Sequence, residues 1–239
     1  MPRHARLDAT GALHHIMLRG INKGDLFVDD LDRKKFLDRL GQGAEGGRCT
    51  VYAFAVMSDH VHLLIRSGDM GISAIMRKLL TWYALYFNRR HRRTGHLFEN
   101  RYKSILCEEE PYFLELVRYI HLDPVRAGMV TDMAGLDSYP WTGHRVIVGK
   151  ATSPWIDRDF TLLLFGKTRR KAQAAYRSFI SAGFSMGHLP HLVGGGLVRS
   201  LGGWSKVASL RQHGAPEKGD ERILGSSAFV MTVLRETEE

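Results

Sequence analysis

CTVYAFAVMSDHVHLLIR, residues 49–66, is the stretch on which the reading of the fold turns. Two runs rich in β-branched and aromatic residues flank Ser58-Asp59, so Thr50–Met57 and His60–Arg66 are predicted as strands of an antiparallel hairpin, although without the glycine of the tightest turns. Side chains alternate along a strand, which puts Val61, Leu63 and Ile65 on one face and His60, His62 and Leu64 on the other. One face suits a core. The other carries two imidazoles pointing the same way, the minimum geometry for a two-histidine metal clamp. A bare H-x-H also suits a polar stripe or a structural pair, so partners must come from elsewhere in the chain.

Upstream, Leu13–Arg19 (LHHIMLR) reads as a first strand closing at Gly20. His14 and His15 are adjacent, hence on opposite faces, with one expected toward solvent and one against the sheet. Asp29–Leu40 has helical spacing behind an acidic start and is expected to break at Gly41, Gly43, Gly46 and Gly47. Downstream, Ser73–Asn88 is a strong amphipathic helix whose aromatics are assigned to the core. Tyr102–Cys107 is a fourth strand. EEEPYFLELVRYIHLDPV, residues 108–125, then has an acidic first turn, Pro111 where a helix tolerates it, and Phe113, Leu116, Val117 and Ile120 on one face, with Pro124 ending the helix. Tyr119 and Asp123 lie one turn apart on its flank.

The resulting order, β-α-β-β-α-β and then a helix, is the split βαβ or ferredoxin-like pattern. The expected class is α+β: an antiparallel sheet with helices on one face, plus a mainly helical C-terminal extension. The free face would carry His60 and His62, and a final helix bearing Tyr119 could lie against it. Three regions are expected: a catalytic domain over 1–130, an accessory helical region over 131–192, and a Gly-rich joint with a helical tail over 193–239. Within the last two, Lys171–Ala182 is expected as a short basic helix and Asp220–Leu234 as a final one. Gly194–Gly196 and Gly202-Gly203 read as linkers, because no Gly-Lys-Ser/Thr follows them.

The composition fits a nucleic-acid partner. Lysine and arginine total 34 against 25 acidic residues, a formal charge of +9 over 239 residues, which favours a polyanion. The surplus concentrates in NRRHRRTGHLFENRYK, where Arg89, Arg90, Arg92, Arg93, Arg101 and Lys103 interleave with aromatics, as phosphate and base contacts require. Cys49 and Cys107 are too few for a disulfide framework or a thiolate zinc site. No window approaches a membrane span and the first residues lack an apolar signal region, so a cytoplasmic location is expected.

The segments MSDHVHLLI, GHLFENRYKSIL and YFLELVRYIHLDPVRAG, in that order, resemble the REP-associated branch of the single-tyrosine HUH transposases, and PRHARLDATGALHHIMLRGIN also fits. The resemblance covers about residues 1–150. It implies His60 and His62 as a metal-binding pair, Tyr119 as nucleophile, Mg²⁺ or Mn²⁺ as cofactor, and single-stranded DNA with hairpins as substrate, handled by a monomer or homodimer. It also puts Asp123 where relatives carry an amide as third ligand. Asp123 adds a negative charge and a hard oxygen there, while Ser58-Asp59 replace the usual proline or asparagine before the pair. A non-cleaving module that binds structured single strands is the competing reading. A phosphodiesterase with paired H-x-T motifs does not fit, because there is one such motif and its third position is His62.

Overall fold

A computed structural model describes residues 7–195 and 219–238. Strands β1 (Leu13–Arg19), β2 (Cys49–Val56), β3 (His60–Ser67), β4 (Lys103–Cys107) and β5 (Ile223–Leu224) form one sheet in the order β2-β3-β1-β4-β5. The first four pair antiparallel in the split βαβ order, and β5 adds in parallel to β4. Register is set by alternation: Met17 lies opposite His62, His15 opposite Leu64 and Arg19 opposite His60, so all six share one face.

Helices α1 (Asp30–Ala44) and α2 (Gly71–Arg90) cover the other face. Asp29 caps α1 by accepting the amide of Asp32 at 3.1 Å, as an N-cap carboxylate does. Phe27, Phe36 and Tyr83 form an edge-and-tilt aromatic cluster between the two helices, with ring centroids 5.1–5.4 Å apart. The expected break at Gly41 and Gly43 does not occur, and α1 runs on to Ala44. Packing overrides propensity here: a Cβ on Gly41 would lie 2.5 Å from the Trp155 indole, which itself packs on Phe54.

The second sheet face is not free. Helix α3 (Glu109–His121) lies across it over β2 and β3, its Phe113 ring 5.0 Å from that of Tyr52. A one-turn helix, α4 (Asp123–Arg126), follows directly, because Pro124 cannot continue α3. The chain then wraps the sheet edge: α5 (Met133–Ser138), α6 (His144–Ile147) and α7 (Arg158–Leu163) flank single bridges from Thr142 to Ala55 and from Ile156 to Val51. At the opposite edge β5 pairs with β4, so both edges of the β1–β4 sheet are occupied. The expected helix over Asp220–Leu234 is in part this strand; α9 spans Ser227–Glu238. Gly196, Gly202 and Gly203 lie outside the described residues.

Helix α8 (Arg169–Ser181) packs on α3 through a buried polar chain. The Asp137 carboxylate accepts from His144 Nε2 at 2.9 Å; His144 Nδ1 and the Tyr176 hydroxyl are 3.1 Å apart; Tyr176 and His121 Nδ1 are 2.7 Å apart. Because a carboxylate only accepts, the His144 proton sits on Nε2, its Nδ1 accepts from Tyr176, and the Tyr176 oxygen accepts from His121. His121 Nε2 is left buried without a partner, facing Gly143, where a Cβ would come within 2.8 Å of it.

Neither His14 nor His15 faces solvent; both are fully buried, contrary to the expectation that one would be exposed. His14 pairs with the Ser104 hydroxyl at 3.1 Å. Burial pulls both imidazoles down to about 4, and it also lowers His121 and His144. Unfolded imidazoles bind protons near pH 6.5 while these hold off to lower pH, so unfolding takes up protons in between. Stability is therefore expected to fall as the pH drops from about 6.5 toward 4, each such histidine adding up to ~1.4 kcal/mol per pH unit. Urea midpoints measured across that window check it; midpoints that stay flat would show the imidazoles are not buried neutral.

Candidate metal centre and nucleophile

The hairpin between β2 and β3 delivers His60 and His62 to one face at the start of β3, and α3 with α4 brings Tyr119 and Asp123 over them. One ligand atom from each of His60, His62 and Asp123 lies within 4.8 Å of the others. His60 Nε2 is 2.9 Å from Asp123 Oδ2, and His62 Nε2 is 4.0 Å from the same oxygen. The outer nitrogens are held as well: His60 Nδ1 bonds Asp59 Oδ1 at 2.6 Å, and His62 Nδ1 bonds His15 Nε2 at 2.9 Å.

Three donors aimed at one point, with both outer ring nitrogens anchored, suit a divalent ion that takes nitrogen and carboxylate ligands. Charge is distributed unevenly. Burial alone would lower His60, but the hydrogen bonds and charges of Asp123 and Asp59 raise it. Both its nitrogens face carboxylates, which favours the imidazolium form. Binding a cation there requires its Nε2 proton to leave, so affinity falls at acid pH. His62, by contrast, is pushed well below the ordinary histidine range, first by burial and then by His15. Asp123 would be raised by burial, but the His60 hydrogen bond and the neighbouring positive charges hold it below the usual carboxylate range.

Tyr119 is 3% exposed, and its ring centroid lies 5.8 Å from that of His62 and 6.1 Å from that of His15. Burial raises its phenol, with Arg126 opposing the shift. The Arg126 guanidinium sits 4.0 Å from the Tyr119 ring centroid and donates both to the Tyr119 carbonyl at 2.5 Å and to Asp123 Oδ1 at 2.9 Å. It therefore clamps the Tyr119 phenol ring and the Asp123 carboxylate together.

All four residues line a cleft of about 670 Å³ that also includes Arg19, Glu99, Arg101, Lys103, Arg126 and His188. The six predicted basic residues divide. Arg101 and Lys103 are in this cleft, with Lys103 donating to the Val193 carbonyl at 2.7 Å. Arg89, Arg92 and Arg93 are exposed at and just beyond the end of α2 and do not line this cleft. Arg90 is engaged within the fold, its guanidinium bonded to Asp29 at 2.6 Å and to the buried Asp32 at 2.5 Å. Beside the cleft runs a groove of about 1070 Å³ along α2, sharing Glu99, Asn100 and Arg101 with it.

Sequence reasoning missed three contributors. Arg126 stands three residues after Asp123, a helical spacing that could have revealed it. Arg19 and His15 belong to β1, and only their register against β3 brings them to the site.

Residues 9–123 match the model of the IS200-like transposases. A solved structure of a REP-associated tyrosine transposase bound to a REP hairpin is similar in fold, with a TM-score of 0.52 and 15% sequence identity, over 64% of this chain and 89% of that one. No curated protein matches the sequence. The matched stretch opens just ahead of β1 and closes on Asp123, taking in β1–β4, both histidines and Tyr119, and over these residues the chain is similar to the IS200-like transposases.

Proposed function

We propose that this protein is a metal-dependent endonuclease and strand-transferase that cuts single-stranded DNA at hairpin or repeat elements through a 5′-phosphotyrosine link on Tyr119. The observation that carries the reading is the convergence of His60, His62 and Asp123 beside a phenol in one cleft with basic residues. The solved transposase of similar fold holds a hairpin, which supports the same class of partner.

His60, His62 and Asp123 would hold Mg²⁺ or Mn²⁺, which when bound neutralises charge on the scissile phosphate. Tyr119 must lose its proton to attack, and burial makes the resting phenol neutral. The guanidinium of Arg126, against the ring, favours the phenolate as it forms. In the cutting step a bond forms from the Tyr119 oxygen to phosphorus while the bond from phosphorus to the 3′-oxygen breaks. The phenol proton leaves and the departing oxygen ends as a 3′-hydroxyl. Because one phosphodiester is exchanged for another, a 3′-hydroxyl can reverse the step and rejoin DNA without a nucleotide cofactor. Arg19, Arg101 and Lys103 in the cleft, with the exposed Arg89, Arg92 and Arg93, would hold the backbone by charge.

Tyr119→Phe is expected to abolish a denaturation-resistant protein–DNA adduct while leaving hairpin affinity within about twofold, read by denaturing gel and by fluorescence anisotropy. An adduct in the variant would reassign the nucleophile. Wild type that forms none on a hairpin library with Mg²⁺ or Mn²⁺ would favour a non-cleaving binding module.

Asp123→Asn keeps the side-chain shape and a lone pair for Arg126 but removes a charged hard oxygen. Its Mn²⁺ affinity, measured by titration calorimetry, is expected to fall on the order of tenfold. Unchanged affinity would place Asp123 outside the ligand set.

A further inference from the structure

His15 occupies a place the cutting chemistry does not use. It is fully buried, and both ring nitrogens are occupied: Nδ1 lies 2.9 Å from the Leu192 carbonyl oxygen and Nε2 lies 2.9 Å from His62 Nδ1. Leu192 belongs to a 3₁₀ turn over Pro190–Val193, 177 residues after His15, and the next carbonyl, that of Val193, accepts from Lys103 in the cleft wall.

The proton positions follow from the partners. A carbonyl can only accept, so His15 carries its proton on Nδ1. In the neutral imidazole that burial favours, Nε2 then has the lone pair and must accept. Its partner, His62 Nδ1, is therefore the donor, and a neutral His62 protonated on Nδ1 has its lone pair on Nε2. That is the nitrogen facing Asp123 and His60. Reversing any link would leave two lone pairs or two protons facing one another inside the protein, at a cost of the order of 1–3 kcal/mol.

We infer that His15 is a positioning residue of the metal centre, and that the Leu192 carbonyl, acting through it, locks His62 in the one tautomer that can ligate a cation. The inference rests on the proposed reading of His60 and His62 as metal ligands. It makes the turn at Pro190–Val193 part of the centre, although that turn supplies none of the three ligands that would hold the ion. His60 is held differently, by the Asp59 carboxylate on its own strand turn. The two ligands therefore answer to separate parts of the chain.

The test uses the full-length protein with ¹⁵N-labelled histidine. Long-range ¹H–¹⁵N correlation spectra of the metal-free wild type are expected to show both His15 and His62 protonated on Nδ1; a His62 ring protonated on Nε2 overturns the lock. His15→Leu removes the acceptor. It is expected to weaken Mn²⁺ binding by about 10–100-fold, the usual range for losing such an outer contact. His15→Gln, whose amide can accept from His62 and donate to Leu192, is expected to recover most of that loss. Leucine and wild-type proteins that bind Mn²⁺ equally would overturn the inference, and if the leucine variant fails to fold the wild-type spectrum decides alone. Absence of Mn²⁺ binding by the wild type would instead overturn the metal reading, leaving the proton positions to be judged from the spectrum.

Discussion

A neutral imidazole has one proton for two nitrogens, so each nitrogen that is paired inside the protein needs a partner of the right kind. That constraint organises this molecule. On one side of α3 the chain Leu192–His15–His62 orients a ring toward Asp123. On the other side Asp137–His144–Tyr176–His121 joins the same helix to α8. Both chains start at a group that can only accept, so the direction of every later bond is fixed. The result is a helix whose position over the sheet is specified by polar contacts as well as by Phe113, Leu116, Val117 and Ile120 in the core.

The arrangement accounts for how a sheet of ordinary topology presents a reactive face. A split βαβ sheet with helices on one side leaves the other side to be covered, and here α3 and the later turns cover most of it. What stays open is a cleft with His60, His62, Asp123 and Tyr119 along its wall and arginine and lysine around it. Arg126 lies in the same wall. It touches the Tyr119 ring, the Tyr119 carbonyl and the Asp123 carboxylate, so one guanidinium links the carboxylate and the phenol.

Much of this is legible from residue order, for identifiable reasons. Alternation along 49–66 places His60 and His62 on one face, because a strand period of two leaves no freedom once Val61, Leu63 and Ile65 are committed to the core. Helical spacing brings Tyr119 and Asp123 together, and the acidic start and Pro111 mark where α3 begins. The illegible parts depend on distant partners. One of His14 and His15 is expected at the surface, yet both are buried, His15 between Leu192 and His62. Arg90 looks like a phosphate contact until Asp29 and Asp32 of another helix claim it. Gly41 looks like a breaker until Trp155, more than 100 residues on, fills the space that a Cβ would need. A two-residue strand such as β5 has no periodicity to read at all.

The account stands on His60, His62 and Asp123 forming one metal centre. Anomalous diffraction from crystals of the protein equilibrated with Mn²⁺ tests this directly. The expected result is a single strong peak bonded at about 2.0–2.3 Å to His60 Nε2, His62 Nε2 and an Asp123 oxygen, distances usual for nitrogen and carboxylate ligands of such ions. A peak elsewhere, or none between the histidines at saturating Mn²⁺, would contradict it.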